Sequence, residues 1–231
     1  MVRAILEGQK TMTRRMNELA RINAPELINE VVFKEFVHLD GRLYAKFVHR
    51  QDAKLPWLCL FPYGDLGGMI WARETWQYHY DVFPTDDVIY LADDPPEGIR
   101  SGKWRPSIHM HKRHSRIWLE ITGVRVERLH EITEADAEAE GIEWELWNNE
   151  LKFYEDYAGT SRRGGFFEGS TYGFNNGKET QPAAVASFCT LWIDINGRES
   201  WISNPWVWVI SFKVTSTTGK PELAGKEAAQ S

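Results

Sequence analysis

Cysteine is scarce in this chain. Cys59 and Cys189 lie far apart with no C-x-x-C pairing, which argues against a disulfide framework or a zinc ribbon and for a reducing compartment. No apolar run is long enough to span a bilayer, and no basic-then-apolar leader opens the sequence. The expected location is therefore the cytoplasm, with no membrane partner. Internal repeats are absent too, and at 231 residues the chain suits one large domain with insertions. Nothing in the pattern asks for a cofactor.

What is present is ordinary in bulk and uneven in detail. Hydrophobic residues make up 42% and charged residues 26%, as in a soluble globular protein, but eleven Trp is high. Most of those rings should fill core, and a few at a pocket rim can stack on planar ligands. The net charge of −6 hides +3 over residues 8–15 and +5 over residues 102–116, with no acid in either stretch. Residues 127–156 hold eleven acids against Arg128 and Lys152. A protein that coats duplex nucleic acid non-specifically should be basic overall. Two local basic stretches on an acidic body fit a confined anionic ligand better, unless those cations pair with the acids elsewhere in the fold.

The first basic stretch is Gly8-Gln9-Lys10-Thr11-Met12-Thr13-Arg14-Arg15. Gly8 closes the short apolar-periodic run from Val2 to Leu6, as a left-handed helix stop does. Beyond it an extended chain puts Thr11 and Thr13 on one face and Lys10 and Met12 on the other. A Lys and a Thr three apart can also meet in a turn, where the amine can take the hydroxyl proton. The plainer alternative is a solvated basic loop.

Further along, Asp40-Gly41 between Val31–Leu39 and Arg42–His49 predicts a two-residue hairpin, and its mixed faces suit a surface hairpin. Residues 69–76, Met-Ile-Trp-Ala-Arg-Glu-Thr-Trp, read as one buried strand. A carboxylate inside such a run must be paired, hydrogen-bonded or functional, and Glu74 alone reads as the partner of an Arg or Lys. His109 and His111 project to one side of an extended segment, but with no acid or Cys close by they read as hydrogen-bonding histidines rather than metal ligands. No metal is expected. Ile117 to Leu129 reads as a strand pair broken at Gly123, and Thr133-Glu134-Ala135-Asp136 as a helix start with a capping-box variant ending at Gly141. Ala183–Asn196 is a helix closed by Gly197, and Trp206–Phe212 a strand buried on both faces. Residues 144–182 read as an insertion with a mobile loop or lid near Ser161-Arg162-Arg163-Gly164-Gly165 and Asn175-Asn176-Gly177, and residues 215–231 as a disordered tail.

Four pieces together resemble the ASCH family of the PUA-like superfamily, in its phage and prophage form. They are residues 1–15, then Ile70-Trp71-Ala72-Arg73-Glu74-Thr75-Trp76, then Trp104 to Arg128, and finally Ile195-Asn196-Gly197 with Asn204-Pro205-Trp206-Val207-Trp208-Val209. The resemblance implies an α+β fold: one domain over residues 1–214, a compact PUA-like β-barrel with a few flanking helices, and insertions at about 20–60 and 144–182. It implies a cleft that binds RNA, single-stranded nucleic acid or a modified nucleoside. Arg14, Arg73, Arg105 and Arg116 are then expected to contact phosphate or base edges, and Trp76 or Trp104 to stack.

One branch of the family looks like amidohydrolases that remove the acyl group of N4-acetylcytidine with a Lys, a Thr three residues later and a distant Glu. Lys10, Thr13 and Glu74 match those positions as base, nucleophile and relay. Burial beside Arg14 or Arg73 pushes a lysine towards the neutral form a base needs, and a tight Glu74 pair pushes it back. A third expectation is a phage accessory protein whose cleft is not catalytic. The chain departs from relatives in beginning at the first helix, without the apolar strand that usually precedes it.

Overall fold

The computed structural model describes residues 2–52, 54, 56–79, 88–100, 103–159, 164–174 and 179–221. Among them fourteen strands and five short-to-medium helices give a mostly β, α+β protein. In chain order these are α1 (Val2–Leu6), β1 (Met12–Arg15), β2 (Val31–Leu39), β3 (Arg42–His49), β4 (Trp57–Leu60), β5 (Met69–Trp71), β6 (Trp76–Tyr78), β7 (Val88–Tyr90), α2 (Glu97–Arg100) and β8 (Trp118–Arg128). There follow α3 (Glu134–Ala139), β9 (Trp144–Trp147), β10 (Leu151–Glu155), β11 (Gly165–Phe167), β12 (Thr171–Phe174), β13 (Glu179–Pro182), α4 (Ala183–Asn196), α5 (Arg198–Ile202) and β14 (Trp206–Ser216). No described helix is long and apolar enough to cross a membrane.

The chain divides into two compact units: Arg3–Gly68 with Ile121–Phe212, and Met69–Glu120 with the residues from Lys213. The largest sheet has strand order β1-β14-β8-β5, and its two long strands, β8 and β14, each contribute residues to both units. In the first unit β1 pairs antiparallel with β14, Thr13 opposite Ile210 and Arg15 opposite Trp208.

Burial on both faces explains why β14 is apolar from Trp206 to Ile210. Val207 and Val209 join the core around α4, with Leu129, Ile142, Tyr154, Phe166 and Trp201. On the opposite face Trp206 meets Phe47 edge-on at 5.3 Å, and Trp208 meets Phe61 at 5.1 Å. A strand covered on both sides needs no polar face, as its sequence predicts. In α4 the burial runs through every residue from Ala183 to Trp192, wider than a single stripe, because β10 and β11 cover it as well as β14. Gly197, at φ +83°, ends it as expected.

Local chemistry fixes the other elements. Gly8 stops α1 at φ +74°, and Asp40 and Gly41, at φ +49° and +69°, make the left-handed pair that a two-residue hairpin requires. β3 is nonetheless the middle strand of β2-β3-β4 and buries Leu43, Ala45 and Phe47, so the hairpin is half core rather than surface. Thr133 caps α3, its hydroxyl accepting from the Asp136 amide at 3.1 Å, but the Asp136 carboxylate turns away from the cap towards two arginines.

Three expectations change. The predicted strand pair over residues 117–129 is one continuous strand, β8, which runs through Gly123; a Cβ there would make only ordinary contact with Ser211, at 3.4 Å. Residues 69–76 are not one strand: β5 ends at Trp71 and β6 starts at Trp76, with irregular backbone between that lets Glu74 turn inward to a partner. His109 and His111 lie in or beside 3-10 turns rather than an extended segment. Much of 144–182 forms β9 to β13, and Tyr154 and Phe166 from it are core. The proposed lid residues 161–163 and 175–177 and the tail 222–231 lie outside the described residues.

Candidate functional site

The first basic stretch folds inward. Lys10 is 4% exposed and Arg14 2%, so each charge must be matched by carboxylates. The Lys10 ammonium donates to Glu140 Oε2 at 2.8 Å and to the Glu140 carbonyl. Arg14 Nη2 donates to Glu127 Oε1 at 2.6 Å and Asp136 Oδ2 at 2.9 Å, and its Nη1 to Glu140 Oε1 at 3.4 Å. Arg125 closes the network from its more exposed side, on Glu127 at 2.8 Å and Asp136 at 2.6 Å. Lys10, Arg14 and Arg125 thus balance Glu127, Asp136 and Glu140 within one unit.

The chain reaches this arrangement through two glycines. Gly8 turns the backbone out of α1 so that Lys10 N–H bonds Ala4 O and Thr11 N–H bonds Ala139 O, laying Lys10 across the end of α3. Gly141, at φ +74°, leaves the room: a Cβ there would stand 2.7 Å from Lys10 Cβ and 2.9 Å from Ala4 Cβ. A lysine at a helix C-terminus also meets the last carbonyls and the negative end of the helix dipole.

Burial is the largest influence on Lys10 and pulls its pKa below the ordinary lysine range; Glu140 opposes this, and Arg15 and Arg14 add to it. Asp136 sits below the usual carboxylate range: burial pushes it up, but the Arg125 hydrogen bond and the Arg14 charge prevail.

Beside this network is a small recess of about 30 Å³ that opens to solvent. Thr13, Arg14, Arg15 and Glu140 line one side, and Phe188, Leu191, Trp192, Ile195 and Asn196 of α4 the other. Thr13 is 8% exposed, and its hydroxyl has no hydrogen-bond partner among the described residues. Glu140 therefore does two things: it holds the Lys10 amine and lines a recess that Thr13 also borders.

Sequence reasoning put Glu74 in that role and missed Glu140. Glu74 belongs to the other unit and is 1% exposed, its two oxygens taken by Arg116 Nε at 3.0 Å and Nη2 at 2.9 Å. Arg116 also holds Asp93 at 2.8 Å and lies over the Tyr90 ring at 4.1 Å. The signal for Glu140 was the Glu-Gly ending of α3, where a cation finds free carbonyls.

The remaining expected contact residues divide by exposure. Trp76 is fully buried and stacks on His114 at 5.0 Å, so its face is already used. Arg105 is exposed, over Trp76 at 5.1 Å and Tyr78 at 4.8 Å. Arg73 is exposed over Trp71 at 5.0 Å and donates to Ile108 O, while Trp104 is half-buried. Neither Arg73 nor Arg105 pairs with a described carboxylate. No group of three or more His, Cys, Asp or Glu converges to hold a metal among the described residues. Comparison with protein-family models, curated proteins and solved structures returns no significant match to this chain.

Proposed function

We propose that the recess beside β1 binds a nucleoside, free or within RNA or a single strand, and that Lys10, Thr13 and Glu140 hydrolyse an exocyclic amide on its base. The observation that carries this reading is Glu140, one carboxylate shared between a buried amine and the recess that Thr13 borders. Thr13 Oγ1 attacks the acyl carbon, and its proton passes to Lys10 when that amine is neutral. Collapse of the adduct breaks the C–N bond as Lys10 returns the proton to the departing base amine, and water then frees the acid from the threonine ester. Burial of Lys10 favours the neutral base and Glu140 keeps the proton within reach. The ASCH resemblance supports the same chemistry and a PUA-like barrel, with Glu140 taking the place expected of Glu74.

Chromatography of N4-acetylcytidine incubated with the protein tests the reading. Cytidine and acetate should appear, and Thr13→Ala and Glu140→Gln should each lower turnover by about 100-fold or more. Undiminished turnover in Thr13→Ala removes the nucleophile, and no turnover together with no binding by the parent removes the site.

A second reading concerns the other unit alone. There exposed Arg73, Arg105 and Lys112 lie over Trp71, Trp76 and Trp118, a surface suited to the backbone of a single strand. Anisotropy titration of a labelled single strand should show salt-sensitive binding, and Arg105→Gln should reduce the salt slope by about one.

A further inference from the structure

We infer that the outer face of the β9-β10-β11 sheet docks a basic segment of another protein, one that carries an arginine or lysine beside an apolar anchor. The hairpin register builds this face. Asn148 and Asn149, at φ +53° and +59°, take the left-handed backbone that asparagine tolerates and turn the chain tightly from β9 into β10. Trp147 then stands opposite Leu151, Glu145 opposite Phe153 and Trp144 opposite Tyr154. β11 adds Phe167 opposite Phe153 and Phe166 opposite Tyr154. Opposed residues share a face and successive ones alternate. Tyr154 and Phe166 belong to the core around α4, so Glu145, Trp147, Leu151, Phe153, Glu155 and Phe167 turn the other way.

The apolar part of this face is ordered and open. Trp147, Phe153 and Phe167 pack ring against ring, with centroids 4.7, 5.6 and 6.1 Å apart. Phe153 lies across Gly165, where a Cβ would come within 2.7 Å of the ring. Yet Trp147 is 49% exposed and Leu151 47%. An aromatic cluster held in place by its own contacts and left half in water marks an interaction site, and β9 is an edge strand that a partner can approach from the side.

The charge on the face has one sign. Lys152, the one cation of β9, β10 and β11, turns to the α4 side, where its ammonium meets Glu138 at 2.5 Å. Glu145 and Glu155 are exposed and form no ion pair with a described cation. Diagonal neighbours on one face of a sheet lie about 7–8 Å apart, so these two carboxylates leave room for one cation between them, at the margin of the rings. That pattern selects the occupant. The carboxylates repel the phosphates of nucleic acid and of an anionic lipid surface. They also repel the same face of a second copy, since a two-fold contact sets like charge against like. A basic side chain of a partner protein gains both the carboxylates and the rings, and arginine stacks on aromatic faces as well as pairing with carboxylates.

Fluorescence anisotropy of a labelled peptide of arginine and leucine, titrated with the full chain, tests this against a counterpart with glutamate for arginine. The basic peptide should bind, more weakly as salt rises, and the acidic one should not. Trp147→Ser should weaken binding by about 10-fold. Glu145→Gln with Glu155→Gln should do the same by about 10-fold, and it leaves the fold intact because both side chains are exposed. Glu7→Gln with Glu26→Gln removes the same charge from exposed positions outside the sheet and should change affinity by less than about 2-fold. No binding by the parent, equal binding of the two peptides, or an equal loss in the two glutamate double variants overturns the inference. So does sedimentation in which the parent is a dimer and Trp147→Ser a monomer, which makes a second copy the occupant.

Discussion

Arg14→Met is the sharpest test of the buried network. The side chain is 0% exposed, so its charge gains nothing from solvent, and the methionine is of similar length. Removing it deletes hydrogen bonds of 2.6 and 2.9 Å and a longer contact of 3.4 Å, and leaves three carboxylates against Lys10 and Arg125. Charge-assisted hydrogen bonds contribute about 1.5–3 kcal/mol each. Arg125 still holds Glu127 and Asp136, so full additivity is not expected; breaking a buried pair of this kind costs about 3–5 kcal/mol. For a chain of this length that is a fall in Tm of about 6–20 °C. The deficit should also depend on pH. Asp136 has a depressed pKa in the folded protein, so its contribution is present above the unfolded value, near 3.9, and is lost as pH falls through the folded value. Replacing Arg14 removes part of that depression, so the gap between parent and variant should narrow below about pH 4. Urea titrations at pH 7 and pH 3.5 measure both effects. A deficit under about 1 kcal/mol at pH 7, or one that does not change with pH, would refute the claim that these carboxylates depend on Arg14.

Gly141→Ala should destabilise the fold by about 2–4 kcal/mol, because it combines a left-handed backbone with Cβ contacts of 2.7 and 2.9 Å to Lys10 and Ala4. Gly8→Ala, at the same φ of +74° but with nothing within 4 Å, should lose only about 1 kcal/mol; equal losses in thermal melts would show that packing against Lys10 contributes nothing. Burial pushes the Cys59 thiol up to about 11 and raises that of Cys189 further. Both should therefore resist an aromatic disulfide reagent at pH 8 for many minutes and react at once in denaturant, and rapid labelling of either native thiol would contradict the packing.

What the sequence reveals of this fold is what short-range chemistry controls. Gly8, Asp40-Gly41, Thr133 and Gly197 mark their elements because left-handed backbone and side-chain caps are properties of one or two residues. The double-sided burial of Trp206 to Phe212 is legible for a similar reason, since an uninterrupted apolar run leaves no face for water. Gly123 misleads because a lone glycine reads locally as a break, whereas β8 runs through it and no close approach demands a glycine there.

The candidate site fails to read out in the same way and more sharply. Lys10 and Thr13 fall in one short stretch, and their shared neighbourhood follows from a glycine and a strand. The carboxylate that completes them is 130 residues from Lys10. Several buried or half-buried acids compete for that part, and the Glu-Gly ending of α3 is the one local feature that separates Glu140 from Glu74. The choice is made by where the backbone breaks: irregular chain after Trp71 lets Glu74 swing to Arg116, whereas Gly141 opens the end of α3 to Lys10. A sequence motif can therefore name the types of group a reaction needs while leaving their partners undecided. In this chain the deciding residue is a glycine with no functional group, because the space it leaves determines which acid meets the amine.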